Sequence, residues 1–84
     1  MKSEYTRTQL SALAALYRRE NAKYQARNAE AEELLSEGSY VQRERVLREA
    51  WELWQVMRGI RAAAEAVGIP EETFFEAVNS EKGM

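Results

Sequence analysis

The side chains best equipped for chemistry in this chain are tyrosines, asparagines, glutamates, arginines and two tryptophans, because the sequence has no Cys, His or Asp. That absence excludes a thiol nucleophile, a disulfide framework, a zinc finger and every His-dependent triad or metal site. What remains is patterned. Tyr17 and Tyr24 lie seven residues apart, and so do Asn21 and Asn28. On one helix these phenols and amides would converge on a seam, where they could line a polar ligand pocket. Buried Asn has a plainer use, fixing register or partner number at some cost in stability. No nucleophile or strongly titratable group joins the set, which favours the plainer use. Glu, Ser and Lys are present, but no spacing picks out an acid–base pair. The expectation is a protein that is not an enzyme and needs neither cofactor nor metal.

Arg19, Lys23 and Arg27 stand at i, i+4 and i+8, with Arg18 alongside. Like charges at that spacing repel on a helix, so such a row often meets something anionic. A hairpin pairing would bring Arg58 and Arg61 to the same level. The six together are the candidate anion or nucleic-acid face. The net charge of -2 and the pI of about 5.2 argue against general nucleic-acid affinity. A solvated face neutralised by Glu20 and Glu30 is the simpler expectation. Leu47, Trp51 and Trp54 form a separate apolar stripe at three- and four-residue spacing.

The elements that position these groups are all helical. The 84 residues (9.7 kDa) are 45% hydrophobic and 31% charged, with only 4 Gly and 1 Pro. That is globular composition with little allowance for loops. Thr6-Arg7-Thr8-Gln9 has capping-box spacing, and Tyr5 with Leu10 has the spacing of a hydrophobic staple. Good helix formers then run to about Ser36, and Gly38 suits a left-handed C-terminal position. Ser39-Tyr40-Val41-Gln42 repeats the capping-box spacing, so a second helix follows at once and runs to Gly68-Ile69-Pro70. Pro70 suits the first position of a third, short helix, with Glu71 and Glu72 at the positive end of its dipole. The expected helices are 6–36, 41–67 and 71–80 within one domain, residues 1–84, and 81–84 should fray.

Periodicity ties the long helices together. Val46, Ala50, Leu53, Met57, Ile60, Ala64 and Val67 step by alternating four and three, an unbroken seam of coiled-coil spacing. Leu10, Ala14, Tyr17, Asn21, Tyr24, Asn28, Ala31 and Leu35 step the same way. A turn at Glu37-Gly38 predicts an antiparallel hairpin, with Ala31 near Val46, Tyr24 near Leu53 and Tyr17 near Ile60. Phe74, Phe75 and Val78 should fold back over its open end, near Leu10, Leu13, Ile60 and Val67.

The segment Ala64–Phe75, with Gly68, an aliphatic and then Thr73, resembles the helix–turn–helix spacing of bacterial repressors. That resemblance implies a DNA-reading last helix, yet this one offers Glu71, Glu72 and Glu76 where bases and phosphates call for Arg, Lys, Asn or Gln.

No apolar run approaches membrane-spanning length, Ala62-Ala63-Ala64 being typical, and residues 1–20 lack a signal-peptide core. A cytoplasmic protein with no membrane partner is expected. A two-helix hairpin cannot bury Leu47, Trp51 and Trp54, and the third helix starts too far away to reach them. The stripe therefore predicts a protein interface, in a homodimer that completes a four-helix bundle or with another protein. The expected function is a small non-enzymatic interaction or oligomerisation module, of a size that suits an accessory protein of a phage or mobile element. The alternative is a small nucleic-acid-associated regulator using the basic face.

Overall fold

Each helix boundary follows from a local hydrogen-bonding device. In the computed structural model, which describes residues 5–80, α1 spans Arg7–Glu37, α2 Tyr40–Ala66 and α3 Glu71–Ser80, with no strand among the described residues. The expected fraying of 81–84 lies outside the described residues. At the start of α1 the capping box is complete. The Gln9 N–H donates to Thr6 Oγ1 (3.0 Å) and the Thr6 N–H donates to Gln9 Oε1 (2.8 Å). Tyr5 and Leu10 both pack against the core, as a staple requires.

Both long helices end in the same way. Gly38 takes φ 79° and donates its N–H to Leu35 O, while the Ser39 N–H reaches back to Leu34 O (2.9 Å). Gly68 takes φ 93°, donates to Glu65 O, and the Ile69 N–H reaches Ala64 O (3.0 Å). These are two Schellman motifs, each satisfying carbonyls that a helix end leaves orphaned. The second is reinforced by burial of both Ile69 and Ala64.

Two capping expectations are corrected. Ser39 makes no side-chain cap bond, because it serves the end of α1 and the start of α2 at once and sits at ψ 72°. Thr6, which does cap, is extended at ψ 164°. Pro70 is the residue before α3 rather than its first helical position, since its carbonyl accepts the first bond, from the Phe74 N–H (2.9 Å).

The two-residue turn sends α2 back along α1. Ion pairing between Arg27 and Glu49, and the shared cluster of Ala14 with Ile60 and Ala64, fix an antiparallel register. The α2 seam is buried at Val46, Ala50, Met57, Ile60 and Ala64, with Leu53 and Val67 half-buried. On α1 the buried stripe drifts. Ala14 and Ala31 are buried, but Leu35 is 46% exposed and Leu34 is the half-buried residue instead. Near the turn α1 presents its Leu34 flank to α2, where Leu34 lines a shallow cleft with Gln42, Arg45, Val46 and Glu49, and Leu35 is left outside.

Where helix three docks, the core is large. Phe74, Val78 and Ile69 join Ala14, Ile60 and Ala64, flanked by Leu10, Leu13, Leu16, Tyr17, Val67 and Phe75. Tyr17, Phe74 and Phe75 meet edge to face, with centroids 5.2–5.4 Å apart. Arg18 Nη1 donates to the carbonyls of Ala77 (3.0 Å) and Val78 (3.1 Å). A cation at a helix C-terminus also answers the dipole. Toward the Gly38 turn only small or slender side chains are buried: Ala31, Val46 and Ala50.

Stability should follow this gradient. Ile60→Ala should cost about 2–5 kcal/mol, and Leu53→Ala, half-buried, less than that. Arg18→Ala should cost about 1–3 kcal/mol by removing charged hydrogen bonds to α3. Arg45→Ala, exposed, should stay within about 0.5 kcal/mol. Urea unfolding followed by circular dichroism measures all four, and equal losses would show that the core is wrongly placed.

Candidate functional site

Successive residues of a helix turn by about 100°, so the paired seams of α1 and α2 leave two broad faces on the hairpin. One carries α3. On that face Arg61 pairs with Glu71 (2.9 Å) and lies over the Phe75 ring at 5.4 Å. A cleft of about 430 Å³ opens there, its lining including Arg58, Arg61, Glu65, Ile69, Phe74 and Phe75. The same flank of α2 continues toward the turn beyond α3. The Arg58 guanidinium sits 5.1 Å from the Trp54 ring centroid, a cation–π contact that links the cleft to the tryptophans.

Trp51 is 59% exposed and Trp54 40%, while Leu47 is half-buried. Tyr40, on the same flank at the start of α2, is exposed as well. The expectation that α3 cannot reach this stripe agrees with the packing, for Phe74, Phe75 and Val78 all sit at the other end with Tyr17, Ile60 and Ala64. On the same face α1 contributes Ala22, Gln25, Ala26 and Ala29, all exposed. The alanine stripe was readable in the sequence as a 4–3 spacing beside the seam, yet it carries no functional group to draw notice. Arg43 was also unmarked. It lies on the tryptophan flank, half-buried, and its Nε has no hydrogen-bond acceptor.

The opposite face is charged. Arg27 pairs with Glu30 (2.6 Å) and Glu49 (3.9 Å), and Lys23 and Arg19 approach Glu20 at 3.3 and 3.7 Å. Glu20 is only 8% exposed, a burial that the seam pattern does not announce. Lys23 and Arg27 line a second cleft, of about 380 Å³, together with Glu49, Glu52, Leu53 and Val56.

The six basic residues thus share one level of the hairpin but not one face. Arg18, Arg58 and Arg61 gather around α3, whereas Arg19, Lys23 and Arg27 carry glutamate partners elsewhere. Neutralisation by Glu20 and Glu30 is as expected. The Arg27 pairs, with both partners accessible to solvent, contribute about 0–1 kcal/mol each to stability. Asn21 and Asn28 are half-buried along the seam, and Tyr17 is committed to the aromatic cluster under α3.

Among the described residues no group of three or more acidic, His or Cys side chains is placed to hold a metal. No helix among them is long and apolar enough to cross a membrane. No protein-family model matches the sequence, and no curated protein or solved structure matches it either.

With its row already paired, the chain should pass immobilised nucleic acid unretained at about 50 mM salt, where phosphate contacts are strong. Retention that disappears on Arg19→Gln/Lys23→Gln/Arg27→Gln would instead support the basic row as a binding face.

Proposed function

We propose that this chain is a small non-enzymatic helical interaction module whose contact surface is the flank of α2 carrying Leu47, Trp51 and Trp54. One observation carries the reading. Two neighbouring tryptophans stand 59% and 40% exposed on a face that α3 covers only at the far end. Contiguous apolar patches rimmed by polar groups mark contact sites, and Trp, Tyr and Arg dominate binding energy where interfaces have been dissected. Here Tyr40, Arg43, Trp51, Trp54 and Arg58 lie on one flank.

A catalytic reading finds less support. The groups that line the cleft beside α3 are Arg58, Arg61, Glu65 and Glu71, and Arg61 is already paired to Glu71. The regulator reading rests on Arg18, Arg19, Lys23, Arg27, Arg58 and Arg61, of which Arg19, Lys23, Arg27 and Arg61 each stand within 4 Å of a glutamate carboxylate and Arg18 donates to α3 carbonyls. It therefore stands second.

The test is site-specific photo-cross-linking in the native cell. A benzophenone-bearing phenylalanine in place of Trp51 should give a discrete protein adduct. The same residue in place of Glu52, exposed on the other face, should not. No adduct at position 51, or equal adducts at both, would contradict the proposal.

A further inference from the structure

We infer that the occupant of the tryptophan face is a second copy of this chain, docked antiparallel so that the turn of each copy abuts α3 of the other. The inference rests on the proposed contact surface and adds its partner and geometry.

Helix three decides the arrangement. It forms a layer on one face of the hairpin, over Ala14 and Tyr17 of α1 and beside Arg61 of α2, and leaves the turn-proximal half of that face bare. A helix is about 10 Å across with its side chains, so a partner cannot lie flat over it. Two copies meeting face to face around an axis along the helices would bring α3 against α3 and hold the tryptophans apart. An axis across the helices places the two α3 layers at opposite ends. The bare halves then overlap, and each hairpin fills the layer that its partner's α3 begins.

Register follows from the length of the bare stretch. It runs along α2 from Tyr40, the first helical residue, to Arg58, where the cleft beside α3 begins. That is about 27 Å at 1.5 Å per residue. Overlap of two such stretches is centred at Glu49, which sets Leu47 opposite Trp51 and Tyr40 opposite Arg58, with Arg43 one residue from the level of Trp54. Each match occurs twice under two-fold symmetry. An aliphatic side chain meets an indole, and at the other match a guanidinium meets an aromatic ring, as cation–π pairing favours. The exposed Ala22, Ala26 and Ala29 keep the α1 side of the face low, so the partner backbone can approach.

The area is sufficient. At 59% and 40% exposure, the two tryptophans leave about 250 Å² bare in each copy, or about 500 Å² in the pair, against roughly 1,200–2,000 Å² for a stable interface. Tyr40 (64% exposed), Leu47, the arginine stems and the alanine stripe supply the rest.

Sedimentation of the intact chain from about 1 to 100 µM, a range spanning ordinary contact affinities, is the first arm. The mass should rise from 9.7 kDa toward twice that value, and Trp51→Glu/Trp54→Glu, still helical by circular dichroism, should stay monomeric. The second arm exploits the absence of native cysteine. A short bismaleimide should link Leu47→Cys chains into dimers and leave Glu65→Cys chains single. A wild-type monomer at the highest concentration would overturn the second copy while leaving the adduct at position 51 as the judge of the contact surface. A dimer indifferent to the double glutamate variant would overturn both. Linkage through position 65 but not 47 would overturn the antiparallel arrangement.

Discussion

The Phe74 ring, 2% exposed, is buried with Ile60, Ala64 and Ala14 and meets Tyr17 edge to face. That contact holds a 10-residue helix over two helices of 31 and 27 residues. Arg18 secures the other end of α3 through the carbonyls of Ala77 and Val78. A helix of that length covers about 15 Å of a hairpin whose long dimension is 54 Å. Among the described residues nothing else covers the rest of that face. Everything distinctive about the surface follows from this shortfall in length.

The packing responds on either side of the shortfall. Under α3 the chain can bury rings and branched side chains, because three elements surround them. Beyond it, two helices alone enclose a narrow seam, filled by Ala31, Val46 and Ala50 with Met57 at the end nearer α3. Larger apolar groups there must stand outside, as Trp51 and Trp54 do. A chain of 84 residues buries only about 60% of the surface its unfolded form exposes, so a face that can be covered by association is also a reserve of stability. On the opposite face Glu20, Glu30 and Glu49 pair with Arg19, Lys23 and Arg27.

Most of the fold was legible in the sequence, and the reason is periodicity. The α2 seam from Val46 to Val67 can be read directly from its 4–3 spacing, and Gly38 and Gly68 mark turns that require positive φ. The misreadings arise where two requirements meet in one residue. Ser39 finishes one helix while starting another, so it cannot also cap. Leu35 falls off the seam because α1 turns its Leu34 flank toward Gln42 and Val46 near the turn, which spacing along one helix does not show. The tryptophan stripe was legible because two helices cannot bury three stripes. The basic residues were less so, for a shared level along a hairpin does not fix a shared face. Arg18 belongs to α3, and only the docked helix reveals it. Glu20 was hidden for a related reason, since a charged residue beside a seam gives no sign of how far its stem is covered.

Trp51 and Trp54 are the only tryptophans in the chain, so their fluorescence reports on the bare face alone. The most direct measurement is the emission maximum and its quenching by acrylamide, followed as the wild-type chain is diluted. Covering of the face by a second copy predicts blue-shifted, poorly quenched emission at high concentration. On dilution the emission should move to longer wavelength and quench readily, in step with the loss of mass. Emission that stays exposed and equally quenchable at every concentration would contradict the account.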